Sequence, residues 1–243
     1  MAKLKLKKKR KRRKLRYILM AAVFIAVSAG IVYLTTRQPD LSHSYEPFDV
    51  SAVPEFGGEP CFTVNGNVPY FTEDELKNEY FTAFTPLDAL GRCGAATACL
   101  HWKNMPTEPR GEIGMVRPSG WHTVRYDDLI EDKYLYNRCH LIAYMFCGEN
   151  ANTENLITGT RYMNKTGMLP FETQVENYLY ETGNHVMYRV TPVFRGNELL
   201  CRGVLMEALS VEDSGRGLCF NVFVYNAYPG IEIDYATGNS WRS

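Results

Sequence analysis

The stretch of sequence that decides the fold lies between positions 137 and 172 and carries its polar groups in three parts. The parts are Asn137-Arg138-Cys139-His140, Asn155-Leu156-Ile157-Thr158-Gly159-Thr160-Arg161-Tyr162-Met163-Asn164, and the single acid Glu172. Among these residues, His140, Arg138, Asn155, Asn164 and Glu172 place an imidazole, a guanidinium, two carboxamides and a carboxylate within 36 residues. No other window of the chain is so rich in groups that can act on a phosphate.

Longer phrases on both sides of this stretch resemble the DNA/RNA non-specific endonucleases, which have a ββα-metal, or His-Me finger, active site. The resemblance is closest to the secreted streptodornases and the membrane-anchored DNA-entry nucleases, and it covers essentially all of residues 61 to 239. Besides the central stretch, it is carried by Gly91-Arg92-Cys93-Gly94, Arg110-Gly111-Glu112-Ile113-Gly114, Arg117-Pro118-Ser119-Gly120-Trp121, Val222-Phe223-Val224-Tyr225-Asn226 and Ile233-Asp234-Tyr235-Ala236-Thr237-Gly238. Such matches in order are more specific than any single short motif.

The resemblance implies a role for each matched polar residue. It makes His140 the general base, Asn164 the direct protein ligand of Mg²⁺, with Mn²⁺ expected to substitute, and Arg138 the residue that holds phosphate. Asn155 and Glu172 look like polar groups that support the metal. Asn155 is assigned to the metal site, and Glu172 is assigned to the catalytic residues.

The chain departs from the motif that many members write Asp-Arg-Gly-His. Asn137 stands in place of the acid and Cys139 in place of the glycine. Relatives in the streptodornase branch also differ at these positions, so the departure puts the role of Asn137 in question more than the activity.

The chemistry of the residues agrees with the resemblance. Histidine is the side chain whose ordinary pKa suits deprotonation of water near neutral pH. Mg²⁺ keeps most of its waters and takes few protein oxygens, so one Asn with one or two polar neighbours is sufficient to hold it. We therefore expect His140 to activate water, Asn164 to hold Mg²⁺, and Arg138 with Arg161 to bind phosphate oxygens.

The pattern of the chain predicts an α+β domain: a ββα-metal core embedded in a mainly antiparallel sheet flanked by helices. Thr72-Glu73-Asp74-Glu75 reads as a capping box that opens a helix to about Tyr80, and Pro170 and Gly183 delimit a second helix. Consecutive β-rich runs without intervening helices indicate antiparallel strands. These runs are Val186 to Phe194, Leu199 to Leu209, Leu218 to Tyr225 and Ile231 to Tyr235, with a hairpin turn at Arg195-Gly196-Asn197.

The N-terminal region divides the chain into four predicted parts. Residues 1–17 form a basic cytoplasmic segment, 18–36 a transmembrane anchor, 37–60 a Pro- and Gly-containing linker, and 61–243 an extracellular domain. A cleaved signal peptide is the competing interpretation, because Val27-Ser28-Ala29 has the small residues that a signal peptidase needs. The protein would then be secreted rather than anchored in the bacterial cell membrane.

Net charge is the main objection to a nucleic-acid enzyme. The chain has 27 bases and 27 acids, and 12 of the bases lie in residues 1 to 37, so the remainder carries 15 bases against 27 acids, a balance of −12. Backbone binding normally uses a basic surface. A local cleft can still be positive, and seven of the 15 bases fall between positions 110 and 165.

Seven cysteines all follow the predicted anchor, where disulfides can form, and their odd number leaves at least one unpaired. Cys139, His140 and Cys147 allow a structural zinc site as an alternative, although their spacing is a weak match to zinc loops.

The sequence thus predicts a metal-dependent, sugar-non-specific endonuclease acting outside the cell on DNA, and on RNA as well, with no obligate protein partner. Its membrane contact would come through the N-terminal helix. The alternative is a catalytically silent surface domain that binds nucleic acid or a protein.

Overall fold

The computed structural model describes residues 48, 49, 51 and 53 to 243. The predicted basic segment 1–17, the anchor 18–36 and most of the linker 37–60 lie outside these residues. Within the described part of the chain, no helix has the length and apolar character needed to cross a membrane.

A six-stranded antiparallel sheet forms the centre of the described region. Its strands are β1 (Cys61–Thr63), β2 (Phe81–Phe84), β3 (Ala96–Leu100), β6 (Val186–Val193), β7 (Gly203–Ser210) and β8 (Cys219–Tyr225), in the spatial order β1-β8-β7-β6-β3-β2. Every neighbouring pair runs antiparallel. This arrangement confirms the prediction of a mixed fold with a mainly antiparallel sheet.

The sheet separates two apolar layers because successive side chains of a strand point to opposite faces. On β8, Val222 and Val224 pack into the larger cluster, whereas Phe223 and Tyr225 pack into a smaller one with the aromatic residue Phe62. Burial on both faces explains why these strands read as nearly continuous apolar runs.

A separate two-stranded sheet, called here the finger hairpin, consists of β4 (Tyr136–His140) and β5 (Leu156–Thr160). Between its strands lies the short helix α1 (Tyr144–Cys147). After β5 the chain forms a π-helix, Met163–Met168, which continues directly into helix α2 (Leu169–Thr182). This succession of two antiparallel strands and a helix is the predicted ββα unit. The remaining strands, β9 (Ile231–Ile233) and β10 (Ser240–Arg242), form a second small hairpin.

Side-chain hydrogen bonds join the finger hairpin to the large sheet. The buried amide of Asn226, just after β8, donates to the carbonyls of Thr158 and Cys201, each at 3.0 Å, and accepts from the backbone N–H of Thr160 at 2.7 Å. The Thr160 hydroxyl in turn accepts from the N–H of Met163 at 3.0 Å. Gly167 lets the π-helix approach β8, because a Cβ there would overlap with Val224.

The helix predicted between Pro170 and Gly183 is confirmed as α2, with Gly183 in the left-handed region at φ 70°. The helix predicted from Thr72 to about Tyr80 was wrong in length. The capping box is present, but it closes only a 3₁₀ turn, Glu73–Glu75, because Leu76 is already extended and β2 follows.

The strand prediction from Leu199 was also wrong at its start, since β7 begins at Gly203. The N–H groups of Leu199 and Leu200 both donate to the carbonyl of Tyr235, each at 3.0 Å, instead of pairing with β6. The chain therefore makes a nine-residue connection between β6 and β7, residues 194 to 202, rather than a tight hairpin turn.

Candidate active site

A cavity of about 310 Å³ lies where the end of β4, the π-helix and the first turn of α2 meet. Four predicted site residues line it: Arg138, His140, Asn164 and Glu172. Residues far apart in sequence are thus brought together by the ββα unit. The other two predicted residues, Asn155 and Arg161, do not line this cavity.

His140 is the last residue of β4 and is almost fully buried. Its Nε2 lies 2.8 Å from the carbonyl oxygen of Asn150. Because a carbonyl can only accept, Nε2 carries the proton and Nδ1 of the neutral ring keeps a lone pair. Burial lowers the pKa of His140, and the positive charge of Arg110 lowers it as well, against the opposing carbonyl contacts. The ring is therefore held neutral near pH 7, as a general base requires.

Glu172 lies in the first turn of α2 and is 7% exposed. No hydrogen bond or ion pair to its carboxyl group is found among the described residues. Burial raises its pKa to about 7. A buried carboxyl without a cation is costly to ionise, so the arrangement suits a site in which a bound cation supplies the missing charge.

Asn164 lies in the π-helix, and the carbonyl of this residue accepts the N–H of Leu169. Single-turn π-helices are frequent at functional sites, because the wider turn re-aims side chains. Within the described part of the chain, the Asn164 carboxamide makes no hydrogen bond, so its oxygen is available to a cation. The described residues contain no group of three His, Cys, Asp or Glu side chains able to hold a metal. One amide oxygen beside one carboxylate suits Mg²⁺ or Mn²⁺, which retain most of their waters.

Asn155 requires a correction to the predicted metal site. Its side chain is fully buried, its Oδ1 accepts from the N–H of Ile142 at 2.8 Å, and its Nδ2 donates to the carbonyl of Ile142 at 2.9 Å. Both ends of the carboxamide therefore bind the backbone that follows β4. We reassign Asn155 from metal ligand to a residue that fixes the path of the chain directly after His140.

Arg138 lies at the edge of the cavity in a fixed pose. Its guanidinium donates to the carbonyls of Val116 and Gly114 and stacks over the ring of Trp121, with Cζ 3.9 Å from the ring centroid. Burial lowers its pKa, with a smaller effect from Arg117. Two N–H groups are thus engaged, and the remaining ones can bind phosphate.

Arg161 is placed differently from the sequence prediction. Its guanidinium forms an ion pair with Asp132, and its backbone N–H donates to Leu135 at 2.8 Å. Arg161 is not among the residues that line the cavity, and its side chain pairs with Asp132 instead.

Two residues that the sequence did not assign complete the site. Arg110 is exposed, lines the cavity and has no ion pair or hydrogen bond of its side chain among the described residues. The carbonyl of Asn150 accepts the hydrogen bond from His140 Nε2–H, and the Nδ2 of Asn150 donates to the carbonyl of Glu112 at 3.2 Å. In the sequence, Arg110 stood only within one of the phrases that carry the resemblance, and no role was assigned to it.

Cys139, His140 and Cys147 do not come together as the zinc ligands considered from the sequence, since the described residues contain no cluster of three such side chains. All seven cysteines are free thiols, and Cys139 is fully buried on the finger hairpin. Its Sγ occupies the space in which a side chain at position 159 would lie, so Gly159 accommodates the cysteine that replaces the motif glycine. Desolvation by burial raises the pKa of Cys139, so the thiol stays protonated.

Comparison with known proteins agrees with this geometry. The family model described as DNA/RNA non-specific endonuclease matches residues 71–212, which is more than half of the chain. The chain belongs to this family. A curated deoxyribonuclease of Streptococcus dysgalactiae subsp. equisimilis is 33% identical over 112 residues, covering 44% of this chain and 33% of that protein. The chain thus spans about a third of the length of that relative.

Solved structures of nucleases share the fold of this endonuclease-family chain. NucA from Streptococcus agalactiae with a magnesium ion bound is 26% identical, with a TM-score of 0.65 over 77% of this chain and 91% of NucA. The Sda1 nuclease with a bound zinc ion is 29% identical, with a TM-score of 0.56 over 67% of this chain and 81% of Sda1. Divalent cations in these two neighbours agree with a divalent-metal site in this family.

Proposed function

We propose that the chain is a divalent-metal-dependent endonuclease that hydrolyses phosphodiester bonds of DNA and also of RNA. The observation that carries the proposal is the single cavity shared by His140, Asn164, Glu172 and Arg138. Family membership and the deoxyribonuclease relative support nucleic acid as the substrate. We infer Mg²⁺ as the working ion, with Mn²⁺ as a substitute, from the oxygen-only donors Asn164 and Glu172.

His140 acts as the general base in this proposal. With Nε2–H fixed on the Asn150 carbonyl, Nδ1 accepts the proton of the attacking water, and the imidazolium that forms keeps its bond to that carbonyl. Asn155 supports this step indirectly, because it fixes the backbone at Ile142 two residues beyond the base. The preformed hydrogen bonds hold the ring ready before substrate binds.

The cationic groups bind and orient the phosphate. Arg110 approaches the cavity from a loop and Arg138 from strand β4, and Lys165 follows Asn164 on the π-helix. Guanidinium groups bind phosphate oxygens in a fixed plane and stabilise charge that develops on them. When bound by Asn164 and Glu172, the metal would supply a Lewis acid for the phosphoryl and leaving oxygens. Contacts to phosphate and sugar carry no base code, so cutting is expected to be sequence-independent.

The proposal places the enzyme at the cell surface. The basic segment 1–17 followed by the apolar run 18–36 supports a single-pass anchor with the catalytic domain outside, and secretion after signal cleavage is the alternative outcome. Protease treatment of intact cells decides between them. A cell-bound, protease-accessible domain supports the anchor, and a processed protein in the medium supports secretion.

Plasmid cleavage by the full chain in Mg²⁺ or Mn²⁺, with and without EDTA, tests the activity. His140→Ala and Asn164→Ala should each abolish cleavage. The matched controls His122→Ala and Asn239→Ala, at exposed positions outside the cavity, should cleave as wild type. If the folded wild-type chain cleaves neither DNA nor RNA, the proposal fails in favour of a silent binding domain.

A further inference from the structure

The catalytic cavity opens into a second cleft of about 490 Å³. The two share Arg110, Arg138 and Asn164, so whatever fills the second cleft lies directly beside the catalytic groups. The proposed function uses only the first cavity. Hydrolysis of the phosphodiester bond does not explain which residues line the second cleft.

The wall of the second cleft is aromatic and apolar where it leaves the shared cations. It includes Trp121, Tyr134 and Ile113. A phosphate chain gains nothing from such a wall, because its oxygens need hydrogen-bond donors and positive charge. A nucleobase, in contrast, has an apolar face that stacks on aromatic rings and on guanidinium planes.

Tyr134 is the exposed member of this wall, with 45% of its surface accessible. A tight turn precedes it: Lys133 has a φ of 72°, and its N–H donates to the Ile130 carbonyl at 2.8 Å. The Lys133 carbonyl accepts from the N–H of Tyr126, also at 2.8 Å. The guanidinium of Arg125 lies 5.4 Å from the centre of the Tyr134 ring. The ring is thus held at the mouth of the cleft although its burial would contribute more to folding.

Trp121 provides a second flat element on the same wall. The Arg138 guanidinium lies against its ring and is itself fixed by two backbone carbonyls. Because these contacts already fix the guanidinium, it has little conformational freedom left to lose when a base binds. Cations at one end and planar groups at the other match the two parts of a nucleotide, its phosphate and its base.

We propose that this second cleft is a subsite for an unpaired nucleobase next to the scissile phosphate, with Tyr134 as the stacking residue that determines strand preference. The inference rests on the proposed function, since it places the base relative to the cleaved bond. In a duplex the base faces are covered by their neighbours, so only a single strand or an unstacked nucleotide can reach Tyr134. The chain should therefore prefer single-stranded over duplex nucleic acid.

Binding in EDTA tests the subsite without cleavage. The probes are fluorescein-labelled single strands of DNA and of RNA with one sequence, and the matching DNA duplex, followed by anisotropy on the full chain. Tyr134→Ala should weaken single-strand binding about 5- to 150-fold, the range that loss of one stacked base gives. Duplex binding should change less than about twofold. Tyr134→Phe should bind as wild type. The control Tyr180→Ala removes a different exposed tyrosine, which lies on α2 outside the cleft, and should also bind as wild type.

An abasic nucleotide beside the scissile position gives a second arm with cleavage as the readout. The missing base should lower kcat/KM for the wild-type chain but not further for Tyr134→Ala, because the partner ring is already gone. Equal losses on single strand and duplex, or indifference of the wild type to the abasic nucleotide, would overturn the subsite. Absence of cleavage by the wild type would instead contradict the proposed function, and the binding measurement would still show whether the subsite exists. A loss confined to the DNA or to the RNA strand identifies which polymer the subsite serves.

Discussion

Asn155 and Asn164 have the same side chain, lie nine residues apart and were both predicted to serve the metal, yet the structure places them in different surroundings. Asn155 bonds both backbone groups of the fully buried Ile142, whereas the Asn164 amide opens into the cavity. Replacing each in turn by alanine separates folding from metal binding. We expect Asn155→Ala to lower stability and Asn164→Ala to lower metal affinity.

The size of the first effect follows from the groups left behind. Asn155→Ala leaves a buried N–H and a buried carbonyl of Ile142 without partners, at about 1–3 kcal/mol each, or about 2–6 kcal/mol together. For a domain of this size about 2–4 °C of Tm corresponds to 1 kcal/mol, so Tm should fall by at least about 4 °C. Asn164→Ala removes no protein hydrogen bond, and its stability should stay within about 0.5 kcal/mol of wild type.

Thermal unfolding in EDTA measures the first quantity, and the Mn²⁺ concentration that half-maximally raises Tm measures the second. Wild type should gain Tm with Mn²⁺, Asn155→Ala should gain it from a lower starting value, and Asn164→Ala should not gain it. The reasoning is refuted if Asn155→Ala unfolds at the wild-type temperature in EDTA but needs more Mn²⁺. It is equally refuted if Asn164→Ala is destabilised without metal.

Three further predictions concern other parts of the site. Burial raises the pKa of Glu172 to about 7, so without metal its contribution to stability is present below the ordinary carboxyl pKa and is lost as pH rises from about 4.5 to 7. Glu172→Gln should therefore be more stable than wild type at pH 8 in EDTA, by up to about 3 kcal/mol, and equal to it at acid pH. Thermal unfolding across pH measures this difference. Thr160→Val removes the hydroxyl that joins β5 to the π-helix and should raise the Mn²⁺ concentration needed for half-maximal cleavage. The control Thr158→Val changes a buried threonine two residues earlier and should lower stability without changing that Mn²⁺ concentration. An equal rise in the Mn²⁺ requirement of both variants would contradict a positioning role for Thr160. Arg110→Gln should reduce the slope of log binding constant against log salt by about 0.7–0.9, the value for one lost phosphate contact, and Arg242→Gln, outside the cavity, should leave the slope unchanged.

Local signals predicted those parts of the molecule that local chemistry determines. Pro170 and Gly183 delimit α2 because proline suits a first helical turn and glycine suits the left-handed residue after the last one. The capping box at Thr72 formed as well, but a cap does not set helix length. Here the length is set by the extended chain that follows, because it leads into β2 of the large sheet.

The site was predictable where the residue type itself restricts the chemistry. His140 and Asn164 lie in one cavity, as the ββα resemblance implied. Asn155 and Arg161 do not line this cavity, because a carboxamide can bind backbone groups and a guanidinium can bind a carboxylate as well as each can bind a ligand. Their partners, Ile142 and Asp132, are set by tertiary contacts that no spacing in the sequence reveals.

The separate pairing of the finger hairpin has a consequence for hydrogen exchange. The amides of β4 and β5 are protected by each other and by a few side-chain bonds from Asn226, not by the six-stranded sheet. We therefore expect the backbone pairing of these strands to open at a free energy below that of global unfolding, although Cys139 and Ile157 share an apolar cluster with the large sheet. His140, the proposed general base, is the last residue of β4 and therefore belongs to this hairpin. Mild heating should abolish cleavage while the amides of the large sheet are still protected.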